Sequence, residues 1–190
     1  MVRGKNIRII AAATLALGLS SAALAENLLK NPSFEKPKEQ ENWFCDQAEG
    51  WGRWGHWLNR ETSWSPTHEG ECLIGYHHWE IEDPDDSGLY QDVSGTEVGK
   101  PYLFSVFAFK DQGATVESIE LRLEPHSGGG TLASRVYEVK ELSKDKWTEL
   151  SVTGRSPSEG LRTLIVVSPR KSGSRKGAVK LDDAALKPLQ

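Results

Sequence analysis

The sequence lacks the short motifs that most often mark an enzyme. It contains no Gly-x-Ser-x-Gly elbow, no His-Glu-x-x-His and no phosphate-binding loop. After residue 26, no stretch of ten or more residues shows clean helical periodicity, and no segment is apolar enough to cross a membrane. These absences count against the common hydrolase, metalloprotease and nucleotide-binding classes, against a helical fold and against membrane insertion.

Residues 1–25 have the pattern of a secretory signal. Three basic residues precede an apolar run at 9–19, and Ala23-Leu24-Ala25 matches a small-x-small cleavage site. The run of about 11 residues is much shorter than the roughly 20 needed to span a bilayer. We therefore predict an exported protein, extracellular or periplasmic, with a single domain in residues 26–190.

The charge balance of the exported part is acidic. Residues 1–25 hold three of the 23 basic side chains and no acidic one, which leaves 20 basic against 27 acidic side chains and a net charge of −7. An acidic surface opposes nonspecific binding to nucleic acid and to anionic lipid, because both reward clustered lysine and arginine. We expect no nucleic-acid partner, and a neutral or cationic partner is easier to accommodate.

Only two cysteines occur, Cys45 and Cys72, and both lie in the exported part. An oxidising compartment allows them to pair, so we expect one disulfide, which also removes a cysteine nucleophile. In the entropic model, a disulfide that closes a loop of this length stabilises the fold by about 3 to 4 kcal/mol, because it constrains the unfolded chain. The hydrophobic core would still supply most of the stability.

Short runs of β-forming residues, separated by Gly, Pro, Asp and Ser, predict an all-β fold. Residues 118–124 alternate, with Ile119, Leu121 and Leu123 on one face and charged residues on the other. Residues 102–109 are nearly all apolar, so either both faces of that strand are covered or one lines a ligand groove. The predicted strands are 52–59, 71–77, 88–93, 102–110, 118–124, 135–139, 147–153, 163–167 and 178–186. Nine short strands with strong turn signals favour an antiparallel two-sheet β-sandwich.

Several motifs carry a resemblance to a known family. Residues 27–35, Asn-Leu-Leu-Lys-Asn-Pro-Ser-Phe-Glu, resemble the opening strand of carbohydrate-binding modules of the 4, 9, 16 and 22 type. Residues 179–186, with their paired aspartates, resemble the closing strand of the same modules. Between them, in the family's order, stand Gly50-Trp51 and residues 68–74, 88–93 and 99–102. The resemblance spans essentially the whole exported chain.

The resemblance implies a jelly roll of the galactose-binding-like kind that binds a poly- or oligosaccharide without catalysis. It also implies a structural calcium where the first and last strands pair, with an acidic ligand from each. On matching positions these ligands are Glu35, Asp182 or Asp183, and Glu69 or backbone carbonyls before Gly70. Calcium prefers six to eight hard oxygen ligands, so carboxylates from remote parts of the chain would tie its two ends together.

Six of the seven tryptophans lie between residues 43 and 79, too many for one small core to hide. Tryptophan suits sites where one side is apolar and the other is wet, and an indole can stack on the apolar face of a sugar ring. Trp51 and Trp147 we assign to the core. The predicted carbohydrate contacts, in an aromatic-lined groove on one sheet, are Trp54, Trp57, Trp79, Tyr76 and the hydrogen-bonding Gln91.

Other functions compete with carbohydrate binding. A polysaccharide hydrolase or lyase needs two suitably placed carboxylates, but several acidic residues cluster at 80–86, where a solvated loop is the simpler interpretation. His77 and His78 are neighbours on a strand and point to opposite faces, which disfavours one shared transition metal. An extracellular protein-interaction or adhesion module is the serious competitor, because a fold does not fix a function.

Overall fold

The protein is an antiparallel β-structure with one short 3₁₀ turn, Val139–Glu141, among the residues that can be described. The computed structural model describes residues 25–37, 44–45, 47–55, 58–62, 66–76, 85–111, 116–171 and 178–190. Its strands are β1 (Phe44–Cys45), β2 (Gly52–Trp54), β3 (Leu58–Glu61), β4 (Leu73–Tyr76), β5 (Ser87–Ser94), β6 (Pro101–Lys110), β7 (Val116–Pro125), β8 (Ala133–Glu138), β9 (Trp147–Arg155), β10 (Gly160–Pro169) and β11 (Val179–Pro188). Within these ranges, no helix has the length and apolar character needed to cross a membrane.

The strands form two sheets. The six-stranded sheet has the order β1-β3-β4-β11-β6-β9, and the five-stranded sheet has the order β2-β5-β10-β7-β8. In the described part of the chain, one buried cluster of apolar side chains contains residues from strands of both sheets. The all-β, two-sheet antiparallel sandwich predicted from the sequence is therefore confirmed.

Alternation along the strands builds this core. On β7, the side chains of Ile119, Leu121 and Leu123 are fully buried, whereas Glu120 and Arg122 on the other face form an ion pair. Fully burying an aliphatic side chain of this size contributes roughly 1.5 to 3 kcal/mol. A shift of one residue would turn these side chains out to solvent, so burial fixes the register of β7.

The predicted strand at 52–59 is in fact two strands in different sheets. Its first part, β2, pairs with β5 of the five-stranded sheet, and its last part belongs to β3 of the six-stranded sheet. Gly55 ends β2 with a φ of +77°, a left-handed conformation that glycine adopts without a steric penalty. The chain therefore changes sheet within this segment.

The two ends of the domain lie side by side. The Leu28 amide donates to the Leu186 carbonyl at 2.9 Å, and the Ala184 amide donates to the Pro32 carbonyl at 2.9 Å. Asn27 adds two side-chain bonds, because its Nδ2 donates to the Ala184 carbonyl and its Oδ1 accepts from the Leu186 amide, both at 3.0 Å. Residues 27–32 therefore bond to the part of β11 that lies beyond its pairing with β4.

The predicted disulfide does not form in this fold. Within the described part of the chain, Cys72 is a free, buried thiol, and burial raises its pKa to about 11. Cys45 on β1 is paired with Arg60 on β3, which is paired with Ile74 on β4. Two strand spacings separate β1 from β4 by about 9.6 Å, whereas disulfide-bonded Cα atoms are usually about 4.4 to 6.8 Å apart. The Cys45–Cys72 prediction was wrong because β3 lies between the two strands.

Candidate functional site

Two aromatic side chains share the outer face of the five-stranded sheet. Trp54 on β2 is paired with Gly88 on β5, and Gly52 on β2 is paired with Tyr90 on β5. Paired residues of antiparallel strands point to the same face of the sheet, so Trp54 and Tyr90 belong to one surface. Their ring centroids lie 6.3 Å apart, with the planes tilted by 39°.

Each ring leans onto the glycine of the neighbouring strand. A Cβ atom at Gly88 would lie 2.0 Å from the Trp54 indole, and a Cβ atom at Gly52 would lie 2.2 Å from the Tyr90 ring. Neither position has room for a side chain while the ring stays in place. Trp54 keeps 36% of its surface exposed, so the sheet presents an aromatic surface that is open to solvent.

A charged pair stands beside the rings. Arg162 on β10 donates from Nε and Nη2 to the two carboxylate oxygens of Asp92 on β5, at 2.9 and 2.7 Å. The guanidinium carbon also lies 4.6 Å from the centroid of the Tyr90 ring. These hydrogen bonds, followed by one from the Ser127 amide, hold the pKa of Asp92 below its ordinary value. We call Trp54, Tyr90, Asp92 and Arg162 the platform.

A second charged group continues the same face on β7. Arg122 donates to both carboxylate oxygens of Glu120, at 3.0 and 2.7 Å, and Nη1 reaches Glu124 at 3.4 Å. The hydrogen bonds from Arg122 lower the pKa of Glu120. Leu164 on β10 lies between Tyr90 and Arg122 in the register. The outer face therefore passes from aromatic rings on β2 and β5 to paired charges on β7.

A cavity of about 540 Å³ opens at the edge of the platform. It is lined by residues 47–52 on one side and by Tyr90, Gln91 and Asp92 on the other. Gly50 shapes this wall, because its φ of +83° is a left-handed conformation. The cavity and the platform together form a continuous surface with room for a ligand larger than a single ring.

The structure places the predicted carbohydrate contacts in different environments. Trp54 lies on the platform, whereas Trp57 and Trp79 fall outside the described residues. Tyr76 is fully buried on the inner face of β4, where burial raises the pKa of its hydroxyl. Gln91 is only 4% exposed, and its amide accepts from the Lys30 amide and donates to the Lys30 carbonyl, at 2.7 and 3.0 Å. Tyr76 and Gln91 are structural residues here, which corrects the prediction for both.

Sequence reasoning missed Tyr90, Asp92 and Arg162. On β5 the inward positions include Leu89 and Gln91, so the residues between them face outward. The one-residue alternation of a strand was the signal that would have selected Tyr90 in place of Gln91. Trp147, assigned to the core, instead lies half-buried on the outer face of the six-stranded sheet, opposite Phe109.

The predicted calcium ligands surround one loop, residues 67–72. Glu35 accepts from the Glu71 and Cys72 amides at 3.1 and 2.9 Å, and Asp182 accepts from the His68 and Glu69 amides at 2.8 and 3.2 Å.

Two carboxylates and the backbone of one loop are the hard-oxygen donors that calcium prefers. The Asp183 carboxylate contacts the His68 ring, and Glu69 is exposed. Among the described residues, no group of three or more His, Cys, Asp and Glu side chains has the arrangement of a metal site. Burial is the main reason why the pKa of Asp182 is raised to about 6.

Comparisons with known proteins place the chain within a widespread fold. No family model and no curated protein match it. A family 61 carbohydrate-binding module, solved in complex with β-1,4-galactotriose, has a TM-score of 0.62 at 18% identity and covers 87% of this chain and 100% of its own. An apo cyclase from Fischerella sp. has a TM-score of 0.64 at 15% identity and covers 86% of this chain and 95% of its own.

A glycosidase shares the fold through one part of its length. An arabinose-bound α-L-arabinofuranosidase has a TM-score of 0.61 at 15% identity and covers 88% of this chain but only 27% of its own. At such identities the likeness establishes the β-sandwich fold, which serves both binding modules and enzymes. The resemblance to carbohydrate-binding modules holds at the level of the fold, and the 4, 9, 16 and 22 type stays a prediction.

Proposed function

We propose that this protein is a secreted, noncatalytic carbohydrate-binding module that holds a neutral poly- or oligosaccharide segment on the platform. The observation that carries the proposal is the placement of the exposed Trp54 beside the half-buried Tyr90, with both rings resting on the glycines of neighbouring strands. The apolar face of a sugar ring stacks on such aromatic surfaces, while its hydroxyl groups need hydrogen-bonding partners at the edge. Asp92 and Arg162 are suited to be those partners.

The charges of this face favour a neutral ligand. The three carboxylates Asp92, Glu120 and Glu124 are paired with the two guanidinium groups of Arg122 and Arg162. Paired side chains are already ordered, so they lose less conformational entropy when a ligand binds. Each sugar hydroxyl exchanges bonds with water for bonds with protein, and only the difference is gained. We therefore expect affinities in the micromolar to millimolar range.

Affinity electrophoresis through gels that contain soluble galactan, xylan or mixed-linkage β-glucan tests the proposal. Trp54→Ala and Tyr90→Ala should each weaken retention about tenfold, which corresponds to about 1.4 kcal/mol. Val98→Ala is the matched control, because Val98 is an exposed apolar residue in a loop away from the platform. Equal retention of both platform variants and wild type, with unchanged melting temperatures, would contradict the proposal. Lack of retention on any glycan would favour the protein-interaction alternative.

The electrostatics of the platform support binding without catalysis. A glycosidase acid needs a carboxyl group whose pKa is raised so that it keeps its proton near neutral pH. Hydrogen bonds from arginine instead lower the pKa of both Asp92 and Glu120. Cyclase and glycosidase structures with the same fold make a direct assay necessary. Turnover of a glycan, measured as new reducing ends and abolished by Asp92→Asn, would overturn the noncatalytic assignment.

Calcium is a further part of the proposal. Glu35 and Asp182 would supply carboxylate oxygens, and the carbonyls of residues 67–72 would complete the shell. A bound ion would stabilise the folded state by mass action. Chelation should therefore lower the melting temperature, and added calcium but not magnesium should restore it. An unchanged melt after chelation would remove calcium from the proposal.

Export is the remaining part of the proposal, and it rests on residues 1–25. Expression of the full-length chain in a bacterial host should yield a processed product that begins at Glu26, as measured by intact mass. A product that retains these residues in the cytoplasmic fraction would contradict the assignment.

A further inference from the structure

A second pocket lies on the opposite side of the sandwich. It has a volume of about 360 Å³ and opens on the outer face of the six-stranded sheet. Its walls are supplied by strands β6, β9 and β11, by the loop at 67–72 and by residues 27, 32 and 33 of the first segment. The side chains that matter here are His68, Ser105, Phe107, Glu149, Asp183 and Lys187.

The floor of this pocket is a stacked pair of rings. The His68 imidazole lies 3.8 Å from the Phe107 ring between centroids, at an interplanar angle of 15°, and Trp147 meets His68 edge-on at 5.4 Å. About 30% of the His68 side chain remains exposed. A flat ring supported from beneath and partly open to solvent is the same arrangement that Trp54 has on the platform.

The backbone fixes the position of this imidazole. The His68 amide donates to Asp182 at 2.8 Å, and the Asp183 carboxylate contacts His68 Nδ1. Asp183 has a φ of +46° and sits where the pairing of β11 with β6 is interrupted between Asp182 and Ala185. Aspartate is one of the non-glycine residues that adopt the left-handed region most readily. The bulge turns Asp183 toward the ring that it orients.

Polar groups surround the floor. Glu149 is exposed on β9, directly opposite Phe107 in the register, and Ser105 lies two residues along β6 on the same face. Asp183 occupies Nδ1 of the imidazole, which leaves Nε2 as the ring nitrogen that can bond to a ligand. Carboxylates beside a pair of stacked rings suit a ligand with several hydroxyl groups on an apolar frame.

We propose that this pocket is a second saccharide site, so that the protein binds two glycan segments on opposite faces and bridges separate chains. The inference rests on the proposed function, because it extends carbohydrate binding from the platform to the other sheet. The pocket contains Glu69, Glu149 and Asp183 against one Lys187, so it accepts neutral saccharides and repels uronates. Two weak sites on one molecule raise the overall strength of binding to a polymer without any new contact.

Stoichiometry with a short ligand tests the proposal. β-1,4-Galactotriose, cellotetraose and xylotetraose are titrated into wild type, Trp54→Ala, Glu149→Ala and the double variant, with a matched uronate oligosaccharide as the charged probe. Thr153→Ala is the control, because Thr153 is exposed on the same face of β9 outside the pocket. We expect two sites in wild type, one in each single variant and none in the double variant. The imidazole NMR signal assigned through His68→Gln should shift on titration of Trp54→Ala.

The outcomes separate this inference from the proposed function. A single site that Trp54→Ala removes and Glu149→Ala leaves intact overturns the second site and retains the platform. A single site that is lost only in Glu149→Ala and His68→Gln overturns both the platform and the bridging. Binding of none of the neutral probes to Trp54→Ala, or equal binding of the uronate, overturns the second site as described. Turbidity on mixing with soluble galactan or β-glucan, absent in both single variants, supports bridging.

Discussion

Gly88 decides whether the Trp54 ring can lie on the sheet. Alanine at this position would place a Cβ atom 2.0 Å from the indole, so the ring must move away from β5. We expect Gly88→Ala to weaken glycan retention about as much as Trp54→Ala does, roughly tenfold. A shift in tryptophan fluorescence should accompany the loss. Ser94→Ala, on the same face at the far end of β5, should retain wild-type binding, and wild-type binding by Gly88→Ala would show that the ring position is unimportant.

The Asp92–Arg162 pair predicts a pH dependence of stability. Because the folded pKa of Asp92 lies below its ordinary value, the pair stabilises the fold above about pH 4 and loses that effect as pH falls through the folded pKa. Solvent screens this partly exposed pair, so its contribution is no more than about 1 kcal/mol.

The difference in unfolding free energy between wild type and Asp92→Asn should therefore be constant from pH 8 to 5 and shrink below pH 4. Urea titrations at these pH values measure it. Glu97→Gln, which removes an exposed partner of Lys100, provides the control for a general loss of surface charge. A difference that grows as pH falls would reverse the assigned sign.

The sequence predicted an aromatic side chain at the surface, but it did not predict every residue that lies beside it. The concentration of tryptophan predicted that some indoles lie at the surface, and Trp54 is 36% exposed. Gln91 was predicted to face a ligand and is buried, whereas its neighbour Tyr90 lies on the outer face, because a strand alternates its faces at every residue. The pairing of β5 with β2 and β10 determines which of its residues are buried. The sequence of residues 88–93 alone does not show this pairing.

Among the strands, Tyr137 joins the edges of the two sheets. Its hydroxyl on β8 accepts from the Ser151 amide on β9 at 2.8 Å and donates to the Ser151 carbonyl at 2.6 Å. These two hydrogen bonds satisfy both backbone groups of an edge residue that would otherwise be open to pairing with another chain. Tyr137→Phe should lower the free energy of unfolding by about 1 to 3 kcal/mol, as measured by urea denaturation.

Tyr90→Phe is the matched variant, because it removes a tyrosine hydroxyl from β5, which is separated from β8 by β10 and β7 in the same sheet. It should change stability by much less than Tyr137→Phe. Equal effects of the two substitutions would mean that the bond between the sheets adds nothing to a generic loss of a hydroxyl group. Increased self-association of Tyr137→Phe in light scattering would agree with an exposed edge on β9.

Element boundaries explain the two structural errors of the sequence prediction. The segment at 52–59 has continuous β-forming character in the sequence, whereas its two halves pair in different sheets after the left-handed Gly55. The cysteine pair was inferred from count and compartment, but its feasibility depends on which strands are neighbours. Because β3 lies between β1 and β4, the pairing of these strands keeps the two cysteines too far apart for a disulfide.

For the whole molecule, the fold class followed from features that many residues share. Short strands, alternating burial and strong turn signals all point to a sandwich, and no single error in a boundary changes that result. The candidate sites depend on a few side chains and their exact register, so one misplaced residue changes the surface. The second pocket lies beyond sequence reasoning, because it brings together residues 68, 107, 149 and 183 from separate parts of the chain.

The hydrogen bonds between the first residues and β11 are expected to contribute to the stability of the whole domain. Asn27 is the second residue after the predicted cleavage site, and it makes three hydrogen bonds, two of them to β11. Asn27→Ala leaves the Leu186 and Leu29 amides without this acceptor, which should cost about 1 to 3 kcal/mol. For a domain of this size each kcal/mol lowers the melting temperature by about 2 to 4 °C. Lys187→Ala on β11 should leave the calorimetric melt unchanged, and an equally unchanged melt for Asn27→Ala would show that the two ends are held together by other contacts.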